Sequence, residues 1–141
     1  MEHYRKLERM YAAAPINAFF RPSLRIEHGR AEVRITVRPA FHHTLGAMHG
    51  AVYFKALDDA AFFAVNSVVE DVFVLTAKIE IEMLRPVVDG EIRSVGRVTE
   101  ESERRILAEA ELFDGEDNLV GRAHGSFARS KLRLTAEVHY V

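Results

Sequence analysis

From Ala51 to Val69 the chain reads AVYFKALDDAAFFAVNSVV. The stretch holds no glycine or proline, and its only charges are Lys55, Asp58 and Asp59. At about 1.5 Å per residue it makes a helix of roughly five turns. A helix this apolar on most sides has to be buried. Carboxylates are seldom fully buried unless something pairs with them. The rest of the chain must therefore wrap this helix and also provide for two adjacent acids. The charges interrupt the stretch well before the ~18 uncharged residues of a membrane span. A loop carrying His42, His43 and His49 leads into it, and Gly50 stands at its entrance.

The flanking segments read as a short helix and strands. Over residues 2–13, Tyr4, Leu7 and Tyr11 recur at helical spacing, and Pro15 stops the run. Residues 16–23 are expected to be irregular because of Pro22. Residues 24–27 form a short strand, and 31–38 alternate as a half-buried one. After the central helix come strands over 72–84, 91–100, 104–113 and 118–129. Their turn signals are Asp89-Gly90 and Asp114-Gly115. The tail 130–141 extends the last strand or lies free. Consecutive strands with short turns pair antiparallel. One apolar helix then needs a sheet curved around it, which predicts an α+β domain with an antiparallel sheet wrapped on a single helix.

At 141 residues the chain has the size of one domain, read as 1–141, and 48% hydrophobic content excludes disorder. A formal net charge of -2 argues against a nucleic-acid partner. The absence of cysteine excludes disulfides, thiolate nucleophiles and cysteine zinc sites. The N-terminus has no apolar signal core, so a cytoplasmic location without membrane partners is expected.

The motif residues add a resemblance. Leu45-Gly46-Ala47-Met48-His49-Gly50 precedes the helix, Asp58 follows eight residues after Gly50, and one strand ends Glu82-Met83-Leu84-Arg85-Pro86. Over roughly residues 30–130 the chain resembles the hotdog-fold acyl-CoA thioesterases of the PaaI-like family. That family carries Asn-x-x-G-x-x-HGG before the helix and an acid nine residues after the His. His49, Gly50 and Asp58 match. His43 stands where the family has Asn, and Ala51 where it has the second Gly of HGG. The family's supporting Ser/Thr would be Thr76.

Chemistry follows at each position. A glycine at a helix N-terminus lets a ligand approach unpaired N–H groups, which can polarise a thioester carbonyl. Asp59 is spaced one turn from Lys55 for an i,i+4 ion pair. Asp58 instead lines up with Phe54 and Phe62, so Asp59 is read as structural and Asp58 as chemical. By the resemblance, Asp58 attacks the thioester or activates the water that does. His49 is expected to position the loop. His43 would orient water or substrate, or exchange a proton as Asn cannot. Thr76 would bond the carboxylate, although a β-branched strand residue explains it equally well. Arg85, with Arg104 and Arg105, would meet the phosphates of coenzyme A, and Phe54 and Phe62 the acyl group. The three loop histidines lack a standard ligand spacing, so no metal and no cofactor are expected.

The expected activity is hydrolysis of an acyl- or aryl-CoA to acid and CoA. The alternatives are a non-catalytic acyl-CoA-binding or sensing module and a hotdog hydratase or dehydratase. Gly50 and Asp58 lie roughly 12 Å apart along one helix, too far to share a carbonyl. Two antiparallel helices would bring them together, which predicts a homodimer with shared sites. The resemblance implies the same dimer, or a tetramer built from it.

Overall fold

The structure, a computed structural model, describes residues 2–141. Helix α1 (Glu2–Ala13) is followed by a single turn, α2 (Asn17–Phe20). Strands β1 (Ser23–Glu27) and β2 (Arg30–Thr36) come next, then a 3-10 turn at Pro39–Phe41 and the long helix α3 (Gly50–Ser67). Strands β3 (Val72–Met83), β4 (Glu91–Glu101), β5 (Ile106–Phe113) and β6 (Leu119–Arg133) complete the sheet. The sheet order is β1-β2-β4-β5-β6-β3, and every neighbouring pair is antiparallel.

The sheet closes on α3 because the helix presents small residues to it. Ala56, Ala60, Ala61 and Ala64 have no exposed surface. Gly96 of β4 sits directly against the Ala60 carbonyl, where any Cβ would overlap backbone atoms. Leu57, Val65, Ile92, Leu112 and Phe127 fill the space around this contact. A second cluster forms where Leu7, Met10 and Tyr11 of α1 meet Phe63 and Ala64 of α3. The far end of α3 is fixed by the buried Asn66. Its side-chain amide donates to the carbonyls of Val69 and Val72, and its Oδ1 accepts from the Val74 N–H.

Three expectations need correction. Residues 17–20 form a helical turn rather than an irregular stretch, stabilised as Asn17 donates to the Tyr11 carbonyl. Pro22 acts one residue later, since Arg21 is forced out of the right-handed region to φ 51° and ends the turn. Strands β3 and β4 are consecutive but do not pair, because the chain after Pro86 crosses the end of the sheet. Val87 receives the Met48 N–H there, and Gly90 receives the Val37 N–H. This sends β4 between β2 and β5 and leaves β3 at the edge beside β6. The tail extends the last strand, with β6 running on to Arg133, but the rest does not lie free: a 3-10 turn follows at Ala136–Val138, and Tyr140 bonds His3.

Two irregularities in β3 set the direction of its side chains. The register against β6 shifts between Val72 and Val74 and again between Thr76 and Lys78. Strict alternation would put Thr76 on the outer face with Lys78 and Glu80. The second bulge turns Thr76 to the helix side, along with Ile79 and Ile81.

The closeness of α3 to β4 predicts that Gly96→Ala will lose roughly 3 kcal/mol of stability by overpacking against backbone that cannot yield. Chemical denaturation should show this as a lower midpoint, and an unchanged midpoint would remove the contact from its central position.

Candidate active site

The N-terminus of α3 is built by its own loop. His49 caps the helix, its Nδ1 accepting the Ala51 N–H at 2.9 Å. The Val52 N–H goes to the His49 carbonyl. The Gly50 N–H, first in the helix, has no carbonyl a turn behind it, and no partner is found for it among the described residues. The sulfur of Met83 lies against Gly50, 3.2 Å from where a Cβ would stand. Gly50 opens into a cleft of about 310 Å³ that His43, Met48, Tyr53, Met83 and Arg85 also line. The Tyr53 hydroxyl donates to the Arg85 carbonyl at 2.6 Å and fixes the chain where it leaves β3.

The loop histidines have defined tautomers. An N–H can only donate, so a ring nitrogen that receives one is unprotonated. The Nδ1 of His43 receives the Leu45 N–H at 3.1 Å, so the neutral ring carries its proton on Nε2. The same reasoning gives His49 an Nε2 proton. The Nε2 of His42 faces the Val88 carbonyl at 2.7 Å and must donate to it. In its neutral form His43 is thus a hydrogen-bond donor at the cleft, as an Asn amide is, and not a base. Among the described residues these rings form no metal-ligand cluster.

The two acids separate as their helical positions require. The Asp59 carboxylate accepts from Lys55 at 2.6 Å and from the Tyr11 hydroxyl at 2.5 Å, tying α1 to α3. Lys55 also lies over the rings of Tyr11 and Phe20. The Asp58 Oδ1 accepts from the Thr76 hydroxyl of β3 at 3.0 Å. Burial pushes the Asp58 pKa from the usual 3.8 up to about 6, and the Asp59 charge adds to the rise. The Thr76 bond and the Lys55 charge oppose it without cancelling it.

Other candidates divide. Phe54, one turn before Asp58, is 47% exposed on the side of α3 that the sheet leaves open. Phe62 packs inward, edge-on to Phe63 and Phe127, so the core uses it. Arg85 lines the Gly50 cleft, whereas Arg104 and Arg105 lie at the β4–β5 turn, at the other end of the sheet. Gly50 and Asp58 do not meet in one chain: the cleft at Gly50 contains no atom of Asp58. Sequence reading missed Tyr11, because a tyrosine at helical spacing signals only a core face. It also missed Met83, whose contact with Gly50 depends on the placement of β3.

Residues 45–121, more than half of the chain, match the family model described as the thioesterase superfamily. The chain belongs to the thioesterase superfamily. Gly50, Asp58, Thr76 and Arg85 all fall inside the matched span, and His43 lies just before it. A Saccharolobus solfataricus protein named "Putative esterase SSO1253" is 27% identical over 73% of this chain and 69% of its own. A conserved Pseudomonas aeruginosa protein, PA5202, superposes with a TM-score of 0.80 at 29% identity, covering 86% of this chain and 98% of the other. The E. coli PaaI protein, from the phenylacetic acid degradation operon, superposes at 0.86 over 95% and 97% at 18% identity. The likeness to PaaI establishes the hotdog fold for this thioesterase-superfamily chain.

The environments of the two acids predict opposite effects on stability. A carboxyl whose pKa is raised on folding costs stability as pH climbs from about 4 through 6, and the cost is complete above that. Asp58→Asn should therefore stabilise the fold at pH 7–8 by on the order of 2 kcal/mol, seen as a higher melting temperature, and the gain should vanish near pH 4. Asp59→Asn should lose about 1–2 kcal/mol at neutral pH through its bonds to Lys55 and Tyr11. Melting curves from pH 4 to 8 check both, and destabilisation by Asp58→Asn at pH 7 would contradict the assignment.

Proposed function

We propose that this hotdog thioesterase hydrolyses acyl-CoA esters at sites shared between two copies of the chain. Asp58 of one copy acts on a carbonyl held by the Gly50 N–H of the other. The observation that carries the reading is the state of Asp58: a carboxylate bonded to a single hydroxyl, on the open side of α3, with its pKa drawn toward neutrality. A carboxyl with a pKa near 6 is ionised at pH 7 and basic enough to take a proton during attack. Asp59 is instead held by Lys55 and Tyr11, both bonded to its Oδ2, and faces α1.

The reaction balances with these groups alone. As a general base, Asp58 removes a proton from water while the water oxygen bonds to the thioester carbon. The carbonyl oxygen gains the negative charge and accepts the Gly50 N–H. Collapse breaks the carbon–sulfur bond, and the CoA sulfur leaves with the proton held on Asp58. As a nucleophile, Asp58 would form an anhydride that water then opens. Where water opens the anhydride at the Asp58 carbonyl, a single turnover in 18O-water leaves label in Asp58, which the general-base route never does. His43 Nε2–H supports the oxyanion or orients the water, His49 holds the Gly50 turn, and Thr76 fixes the attacking carboxylate. Arg85, beside Gly50, faces the CoA phosphates, and Phe54 faces the bound ester.

Sharing of sites has support from the sheet. β3 is a 12-residue strand paired only with β6, so its other edge is free among the described residues. Long free edges invite pairing. Asp58 lies against the Thr76 segment of β3, and Gly50 against Met83 at its end. Antiparallel pairing of two β3 edges about a two-fold axis brings the Met83 end of one copy alongside the Thr76 segment of the other. Gly50 then approaches the second copy's Asp58.

Two outcomes test the proposal. The kcat/KM for thiol release should rise with pH through a pKa near 6, and Thr76→Val should move that limb to higher pH, because the Thr76 bond lowers the Asp58 pKa. A limb unmoved by Thr76→Val would detach Asp58 from the chemistry. Separately, Asp58→Asn chains mixed with Gly50→Phe chains, each inactive alone, should regain about half of wild-type activity per heterodimer, through the one intact site. Heterodimers without activity would rule out the shared site.

A further inference from the structure

A second cavity lies on the open side of α3, beyond the acids. It measures about 250 Å³ and is walled by Met10, Tyr11 and Ala14 at the end of α1, Phe63 of α3, Phe73 of β3 and Val138 of the tail. Its lining is almost wholly apolar, and the Tyr11 hydroxyl is turned away to Asp59. The Tyr11 ring stands between the cavity and the acids: one side of it lines the cavity, and its hydroxyl bonds Asp59, the residue next to Asp58. On α3 it is bounded by Phe63, one turn after Asp59.

Several features keep it open and shaped. Phe73 stands where the β3 register shifts between Val72 and Val74, and its ring packs into the cluster that α1 forms with Phe63 and Ala64 of α3. Phe63 meets Tyr11 edge-on with ring centres 5.0 Å apart, which sets the inner wall. The tail forms the outer wall and is fastened there. Tyr140 donates to His3 Nδ1 at 2.7 Å, and His3 Nε2 donates to the Asn66 carbonyl at 2.8 Å. A 3-10 turn between Thr135 and Tyr140 lays Val138 over the opening.

We propose that this cavity receives the apolar tail of the acyl group and sets the acyl length that the enzyme accepts. The inference rests on the thioesterase reading of Asp58. An apolar cavity of about 150 Å³ holds a benzene ring. By that measure 250 Å³ has room for roughly eight to ten carbons. The substrate class is thus a medium-chain or ring-bearing acyl-CoA, with the thioester at Asp58 and the tail running toward Phe73. Short acyl groups such as acetyl leave the cavity unused.

Two variants act on the cavity in opposite senses. Ala14→Leu adds three carbons to its wall, and Phe73→Ala removes a ring from the far end. Thiol release is measured over acetyl- to palmitoyl-CoA, with octanoyl-CoA and octanoate binding followed by calorimetry. Ala14→Leu should lower kcat/KM for octanoyl-CoA at least tenfold and leave acetyl-CoA within twofold. Phe73→Ala should move the preferred chain two to four carbons longer. Equal effects on every chain length, or none, would overturn the assignment. If wild type hydrolyses no acyl-CoA, the reading of Asp58 fails, and calorimetry still decides the cavity. Octanoate or octanoyl-CoA binding that Ala14→Leu weakens tenfold upholds it, and binding that is absent or indifferent to the variant overturns it.

Discussion

Everything in this protein depends on how closely the sheet can approach α3. The approach is closest where Gly96 of β4 lies on the Ala60 carbonyl, with Ala56, Ala61 and Ala64 making room on either side. Close packing of this kind has little slack, since interiors have the density of organic crystals. It fixes the rotation of α3 about its own axis. Once that rotation is set, the side facing away from the sheet is set as well. On that side stand Phe54, Lys55, Asp58 and Asp59.

The two acids show how one helix can hold two different environments at neighbouring positions. They lie about 100° apart around the axis. That angle directs Asp59 to α1, where Lys55 and Tyr11 satisfy it, and Asp58 to β3, where it finds one hydroxyl. The difference in partners underlies the different roles proposed for them. A carboxylate bonded to an ammonium and a hydroxyl ties two helices together. One that is buried with a single donor keeps its proton affinity and costs the fold stability. Strain of this kind is common where a group is held ready for a reaction.

The open side of α3 also gives the molecule a direction. At the N-terminal end, Gly50 with its unpaired N–H lies beside Met83 and Arg85. In the middle is the Asp58–Thr76 pair. Toward the C-terminal end is the apolar cavity under the tail. A polar head, a reacting carbon and an apolar tail would be served in that order by two such surfaces facing each other. The long edge of β3 runs beside the same features, so pairing along it would assemble them.

Much of this was legible in the sequence. The apolar stretch at 51–69 demanded a wrapped helix, and the period-2 alternation of the later strands supplied the sheet. Helical spacing alone separated Asp58 from Asp59 and named Lys55 as the latter's partner, because a neighbour one turn away is fixed by the helix itself. His49 and Gly50 were readable as a helix entrance for the same reason. Strand order was not readable: β3 and β4 are joined by a short connection yet lie three positions apart in the sheet, since pairing is decided by which edges remain free around the helix. Nor was the bulge that turns Thr76 inward, the tautomer that makes His43 a donor, or the place of Tyr11 and Phe73 in a cavity wall. Local periodicity determines what a residue does within its own element. Contacts between elements far apart in the chain arise only when the sheet closes, and only the tertiary structure decided those.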